Sequence, residues 1–448
     1  MFVLRRTLTH LNSNDEYYTA IQPLFGITHL LGVSSYVVVT NKRGVKSLAN
    51  SRFSYIVLIL NLAVIVYCGV CIIRSKSTFV GNFMDSDYTA VFEKVVSPLI
   101  CTANVNILIR NFAGGQQLHW LIKHFLKIDR KSGRIGIQWN YRKVFYGEIR
   151  RLMYIVSQFS ITLIINIICS YRLNAFPTLQ LSYVILSVMI VLQFTIFLCD
   201  FLMMSTGVRL QALNEVLKKL AHQWDNSIVK PMPKQRSLQC LDSFSMYTIV
   251  TNNPCEIIQE SMEIHHMICD AASTANKYFT YQLLTIISIA FLIIVFDAYY
   301  VLETLLGKSA HESKFKTVEF VTFFSCQMIL YVIAIISIVE GSNRAIKKSE
   351  KTGGIVHSLL NKAKNAELKE KLQQFSLQLL HLKIHFTAAG LFNIDRTLYF
   401  TISGALTTYL IILLQFTNSN APERPFAPME ENDTMPIRSL VSNLTVAG

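Results

Sequence analysis

The side chains with the most chemistry to offer sit on the last apolar run of the chain. Thr408 and Gln415 stand seven apart in Thr408-Tyr409-Leu410-Ile411-Ile412-Leu413-Leu414-Gln415-Phe416, which brings them to about the same face of a helix. Ala405, Thr408, Ile412 and Gln415 form a stripe on a segment without charges. In a single helix such a stripe makes one or two interhelical hydrogen bonds. In a symmetric oligomer it lines a pore, where a ring of bulky apolar side chains gates by dewetting. A second group consists of aromatic and polar side chains on other apolar runs. Phe320, Phe324, Gln327 and Tyr331 share one helical face, and Tyr183, Asn166, Asp297 and Tyr300 lie on runs able to meet it. Aromatic faces with a few polar groups suit a neutral or cationic small molecule; the plainer reading is packing or an interfacial aromatic belt. Cys68-Gly-Val-Cys71 has redox or zinc spacing, but it lies at the end of an apolar run with no second pair, so packing between helices is expected. With no metal-ligand cluster, phosphate loop or internal repeat, neither a metal, a cofactor nor an enzyme or transporter is expected.

Those side chains need a scaffold that passes through a bilayer. Of 448 residues, 52% are hydrophobic and 16% charged, against about a quarter charged in ordinary soluble domains. Uncharged runs long enough to span cover 53–73, 152–171, 174–199, 278–296, 320–339 and 397–416. A weaker run, 89–112, carries Glu93, Lys94 and Arg110 near its ends and Pro98, Asn104 and Asn106 inside. Counting it gives an all-α membrane protein of seven transmembrane helices. The apolar patch 18–39, broken by Pro23, Gly26 and Gly32, reads as a re-entrant or interfacial helix within the segment 1–52. Residues 1–14 are polar with Arg5 and Arg6, so no cleavable signal peptide is expected there.

Charge sets the orientation. The chain carries +14, but its basic residues lie between apolar runs without a recognition motif, which points to a lipid bilayer and away from nucleic acid. The N-terminal segment and the second, fourth and sixth loops hold 32 of the 42 Lys and Arg; the remaining loops and the tail hold eight. The N-terminus is therefore expected in the cytoplasm and the C-terminus outside. The two N-x-S/T sequons, at Asn432 and Asn443, lie in the expected extracellular tail 417–448, where glycosylation is feasible.

Outside the bilayer, helices 1–6 (53–339) are expected to carry cytoplasmic extensions, with a flexible insertion at 225–255. In 340–396 the residues Leu368, Leu372, Phe375, Leu379, Leu382 and Phe386 recur at spacings of four and three, an a/d seam with charges on its other faces. It must pack on helices of its own chain or of neighbouring subunits, and it reads as an oligomerisation seam. Gly390 suits the C-cap of that helix, and Asn393 or Asp395 the N-cap of the next. The last element is thus a split helix, cytoplasmic and then membrane-spanning (397–416).

The ending Thr408-Tyr409-x5-Gln415-Phe416, preceded by His385-Phe386-Thr387-Ala388-Ala389-Gly390-Leu391-Phe392 and Asp395-Arg396-Thr397-Leu398, resembles the signature of insect gustatory receptors. The match is specific over 367–416, and Gln22-Pro23-Leu24-Phe25 is similar to the family's N-terminal segment. The resemblance implies a plasma-membrane, ligand-gated, non-selective cation channel, related to odorant receptors and opened by a small-molecule tastant. It implies a homotetramer, or a heteromer with related receptors, that passes Na, K and Ca through one pore lined by four final helices. By motif position it implies that Ile412, Gln415 and Phe416 form the extracellular constriction, Tyr409 braces the helix from behind and Thr408 faces inward below. Family sugar receptors carry Glu where this chain has Leu410. Fructose-type receptors share Leu there, yet differ in the turn at Ala389-Gly390-Leu391-Phe392-Asn393. The chain therefore looks more like the bitter or broadly expressed groups. A G-protein-coupled receptor is the alternative class, but it needs the opposite orientation, and neither D-R-Y nor N-P-x-x-Y stands where that class requires it.

Overall fold

Residues 13–42, 44–74, 87–174, 176–228, 253–305 and 314–419 are described by the structure, a computed structural model. Helix α1 (Ser13–Leu30) leads into an antiparallel hairpin of β1 (Tyr36–Thr40) and β2 (Lys46–Asn50), with Tyr36 opposite Asn50. The re-entrant or interfacial piece expected over 18–39 is instead this helix and hairpin, packed on their own chain. Pro23 removes one backbone donor inside α1, but Ile21, Leu24 and Phe25 around it are fully buried. That burial outweighs the lost bond.

Among the described residues seven helices are long and apolar enough to cross a membrane. They are α2 (Arg52–Arg74), α3 (Asp87–Ala113), α5 (Tyr141–Leu173), α6 (Leu179–Ile228), α7 (Pro254–Leu305), α8 (Lys314–Lys362) and α10 (Thr397–Ser419). Buried residues make up 67% of the apolar stretch of α6 and 6% of that of α10, so α6 is the centre of the bundle and α10 its edge. The fourth span starts five residues later than expected. Asn174 adopts the left-handed conformation (φ 52°) that caps α5, and Pro177 follows before α6 begins.

The polar second span is held by its polarity. On α3 the amide of Asn104 donates to the Ser187 hydroxyl of α6 (3.0 Å), that of Asn111 to Thr195 of α6 (3.0 Å), and that of Asn106 to Thr285 of α7 (2.9 Å). Such groups left unpaired in hydrocarbon would each cost several kcal/mol, so the three bonds fix the rotation of α3. Gly114, after α3, allows close approach: a Cβ there would lie 2.5 Å from the Tyr278 ring.

Where the apolar runs end, charges join the helices. Arg151 of α5 reaches Glu148 (3.2 Å) and Asp200 of α6 (3.3 Å), and Arg344 of α8 reaches Asp200 (3.1 Å). Arg396, just before α10, grips Glu340 of α8 with two bonds of 2.9 and 3.0 Å. Beyond this belt the long helices continue into a polar-surfaced anchor completed by α4 (Gly115–Ser132) and α9 (Ala366–His381). On α4, Leu118, Leu121, Ile122 and Phe125 are buried at helical spacing. At its C-terminal end the buried Asp129 accepts two bonds from Arg209 of α6, at 2.8 and 2.7 Å. Tyr141 donates to Asp129 as well (3.1 Å), and the guanidinium lies 4.3 Å from the Phe125 ring centre. Burial raises the Asp129 carboxyl above its ordinary value, and Arg209 works against that rise.

The expected oligomerisation seam is filled by its own chain. Leu368, Leu372, Phe375 and Phe386 are buried, and Leu379 and Leu382 pack against the same core. Phe375 meets His265 of α7 edge-on at 5.7 Å, and Gln378 donates to the Met262 carbonyl (2.9 Å). The seam's helix also ends earlier than its pattern implies. Leu382 is its C-cap, and 387–393 form the small hairpin of β3 (Thr387–Ala388) and β4 (Phe392–Asn393). Gly390 is therefore not a helix cap. With Ala389 it makes the hairpin turn, both at positive φ (51° and 73°), closed by Leu391 N–H to the Ala388 carbonyl at 2.9 Å. Asp395, as expected, caps the last helix, accepting from the Thr397 N–H at 2.8 Å.

Asp129→Ala leaves the Arg209 charge buried without its partner, a loss of about 3–5 kcal/mol. Thermal unfolding of the detergent-solubilised chain is expected to shift down accordingly. An unchanged midpoint would show that the pair carries no stability.

Candidate ligand cavity and pore helix

Two apolar cavities lie side by side among the spanning helices. The smaller, about 140 Å³, is enclosed by Val96, Ser97 and Ile100 of α3, Leu181, Ile185 and Val188 of α6, Ile293, Phe296, Asp297 and Tyr300 of α7, and Phe323, Phe324, Gln327 and Tyr331 of α8. The larger, about 370 Å³, lies towards α5, whose Phe159, Thr162, Asn166 and Ser170 line it together with Ser182, Leu186 and Met189 of α6. Pro177, Ile185, Phe323 and Gln327 belong to both, so they form the shared wall.

Most of the residues singled out from sequence meet here. Asp297, Tyr300, Phe324, Gln327 and Tyr331 line the smaller cavity, and Asn166 and Gln327 the larger. Phe320 stands behind the wall, fully buried, its ring 4.7 Å from that of Phe324. Tyr183 lines neither cavity: it points the other way, donating to Asn61 of α2 at 3.0 Å. Sequence reasoning missed Ser97 and Ile185. Ser97 lies on the weak second span, and an Ile on an apolar run carries no signal that it faces a void.

The polar groups in these walls are sparse and open. Asp297 is 6% exposed and its Oδ2 has no hydrogen-bond partner. The Asn166 Oδ1 likewise has none, and the Gln327 side chain makes no hydrogen bond among the described residues. Buried polar groups are ordinarily satisfied. Such an arrangement suits an apolar guest that brings its own donor.

On α10, Leu398, Tyr399, Ile402 and Leu406 pack on the main core. Tyr409 meets Phe291 of α7 edge-on at 5.9 Å. Leu410, Leu413 and Leu414 join a separate cluster with Tyr300, Phe320, Phe323 and Phe324. The predicted stripe lies towards the other side: Thr408, Ile412 and Gln415 are exposed and Ala405 is half-buried. The Thr408 hydroxyl donates back to the Gly404 carbonyl (3.0 Å) and Thr407 to Ser403 (3.0 Å), which leaves oxygen lone pairs facing outward. The Phe416 side chain, the sequons at Asn432 and Asn443, and all but the edges of the 225–255 insertion lie outside the described residues.

Known proteins share this architecture. Residues 21–420 match the family model of the 7tm chemosensory receptors. Gustatory receptor 28b of Drosophila melanogaster is 53% identical over 431 residues, covering 94% of this chain and 90% of that receptor. The chain belongs to the insect gustatory receptor family of 7tm chemosensory receptors. Gustatory receptor 28a of the same fly is 32% identical over 433 residues, covering 90% of this chain and 92% of that receptor. The olfactory receptor OR5 of Machilis hrabei, solved in complex with eugenol, superposes with a TM-score of 0.56 at 12% identity, over 90% of this chain and 100% of OR5. The ligand-free OR5 structure gives 0.59 at 13% identity, over 89% of this chain and 98% of OR5. The fold is that of the olfactory receptor, and this gustatory receptor is a multi-pass membrane protein with seven spanning helices.

Two substitutions separate cavity from scaffold. Tyr183→Phe removes a hydrogen bond to Asn61 and is expected to lower stability by about 1 kcal/mol. Gln327→Leu removes an amide that makes no hydrogen bond among the described residues, so the thermal unfolding midpoint is expected to stay level or rise. The reverse order would mean that Gln327 is kept for folding.

Proposed function

We propose that this gustatory receptor is a ligand-gated, non-selective cation channel, assembled from four copies around their α10 helices and opened by a small-molecule tastant in the paired cavities. In this reading the N-terminus faces the cytoplasm of the plasma membrane, which the Lys and Arg distribution supports. The observation that carries the reading is the place of α7. One helix contributes Phe296, Asp297 and Tyr300 to the cavity and Phe291 to the contact with Tyr409. Tyr300 and the cavity's Phe323 and Phe324 also share one cluster with Leu410, Leu413 and Leu414. A molecule that shifts these aromatic rings therefore pushes directly on the pore helix, with Ile412, Gln415 and Phe416 as the constriction.

Fourfold assembly accords with the surface of the single chain. α10 is almost unburied, with Phe400 81% exposed. In the anchor, Leu377, Leu380 and Leu391 stand exposed on polar-surfaced elements, where lipid gives them no cover. These three, and not the internally filled seam, are the side chains left for neighbouring subunits. OR5 was solved with eugenol, and small phenols are therefore reasonable first probes beside plant alkaloids, sugars and nucleosides.

The test is expression of the chain in a cell, with whole-cell currents recorded against that panel. Gln415→Lys places a positive charge at the constriction and is expected to cut evoked cation current at least tenfold with surface expression unchanged. Evoked current whose size and selectivity ignore Gln415→Lys and Ile412→Ala would remove the pore assignment. For the assembly, the double change Leu377→Glu and Leu380→Glu is expected to yield folded protomers by light scattering in detergent. A tetramer that survives both would place the subunit contact elsewhere.

A further inference from the structure

We infer that the ligand of the smaller cavity is a compact protonated amine carrying an aromatic or similarly apolar body, with Asp297 as its counter-ion. The inference rests on the reading of that cavity as the ligand site and narrows the guest to one chemical class.

Three observations converge. First, Asp297 is buried with an unpartnered Oδ2, yet it borders a cavity instead of packed protein. A carboxyl group taken out of water without a partner is held neutral, and a cation that reaches it favours the ionised form. Second, among the described residues no Lys, Arg or His lines either cavity. Two other buried acidic groups differ: Asp129 has Arg209, and Glu148 has Arg151. Third, the walls around Asp297 are aromatic. Phe296, Tyr300, Phe323, Phe324 and Tyr331 line the same space, with the Tyr300 and Phe324 ring centres 5.1 Å apart. Aromatic faces attract ammonium groups, the more strongly when water is excluded.

Size and polarity define the rest of the guest. Apolar cavities of roughly 150 Å³ accept a single aromatic ring, and this one measures about 140 Å³. An ammonium group has three donors and no acceptor. Asp297 takes one, and Gln327, which has no hydrogen-bond partner among the described residues, and Ser97 border the same space with further acceptor oxygens. A neutral hydroxyl offers one donor and no positive charge. A quaternary ammonium ion would answer the charge but offer no donor. Larger amines have an outlet past Gln327 and Phe323 into the neighbouring cavity of about 370 Å³.

The test uses the purified full chain in lipid nanodiscs and two probes of equal shape, 2-phenylethylamine and 2-phenylethanol, with binding isotherms at neutral pH. The wild type is expected to hold the amine at least tenfold more tightly than the alcohol. Asp297→Asn is expected to bring that ratio to about one while alcohol binding persists. Val188→Trp, which fills the smaller cavity, is expected to abolish binding of both. A wild-type ratio of one or less, or no binding of the amine, overturns the inference whatever the variants do. So does an amine preference that survives either substitution. Binding is read without current, so a chain that binds the amine but never conducts would sink the channel reading and leave this one standing. Currents evoked by neutral ligands, together with equal binding of the two probes, would do the reverse.

Discussion

Charge can be held cheaply only where the helices leave the apolar layer, and the architecture follows from that constraint. The belt of Arg151, Asp200, Arg344, Glu340 and Arg396 stands at the ends of four apolar runs and ties α5, α6, α8 and the start of α10 together. Each partner lies where water or another charge can reach it, so desolvation is moderate and the geometry is shared among helices. One step further out, Asp129 and Arg209 are almost completely buried, and they are tolerated there because Tyr141, Ser205 and the rings around them complete their contacts. Such a pair adds little net stability over an apolar equivalent, but removing one partner is costly. It therefore specifies how α4 and α6 must meet.

Most of the ion pairs gather at one end, with Arg172–Glu319 at the other, so the two ends of the molecule differ in kind. The anchor combines a continuous apolar core with ion pairs, and α6, α7 and α8 run unbroken from it into the membrane-spanning part. The apolar part is held by dispersion, by three Asn–hydroxyl bonds on α3, and by aromatic clusters. Without a hydrophobic drive between helices in lipid, such packing accommodates voids, and the two cavities lie there. A helix fixed at one end and bordering a cavity near the other is a lever. In the proposed channel α7 acts as that lever, with Phe291 touching α10 and Tyr300 lining the cavity.

Much of this was legible in the residues. Apolar runs gave all seven spans, including α3, because uncharged length is a direct consequence of bilayer thickness. The aromatic–polar face of α8 and Asp297 were legible because such side chains are rare in apolar runs. Burial within the anchor was legible as an a/d seam, but its partner was not: periodicity shows that Leu372 and Phe375 need cover, and it says nothing of whether α7 or another subunit provides it. Gly390 misled for a related reason. A glycine at positive φ suits a helix cap and a tight hairpin equally, and only the pairing of Ala388 with Phe392 decides. Tyr183 misled because a tyrosine on a span has two sides to choose from, and Asn61, one of the few acceptors on α2, claimed it.

Asp297 shows the same constraint from the opposite side. The buried Asp129 and Glu148 are each answered by an arginine of the chain. Asp297 lies among aromatic rings beside a void, and among the described residues no cation answers it. A receptor that must respond to something external has to leave one interaction incomplete, since a fully satisfied core has no free energy to offer a guest. The incompleteness also has to sit where filling it moves something. Asp297 and Tyr300 are less than one helical turn apart on α7, and Tyr300 belongs to the cluster that holds Leu410, Leu413 and Leu414. The unpartnered carboxyl and the packing against α10 thus share one short stretch of one helix, which is where, in the proposed channel, a charge-bearing ligand would have the greatest effect on α10.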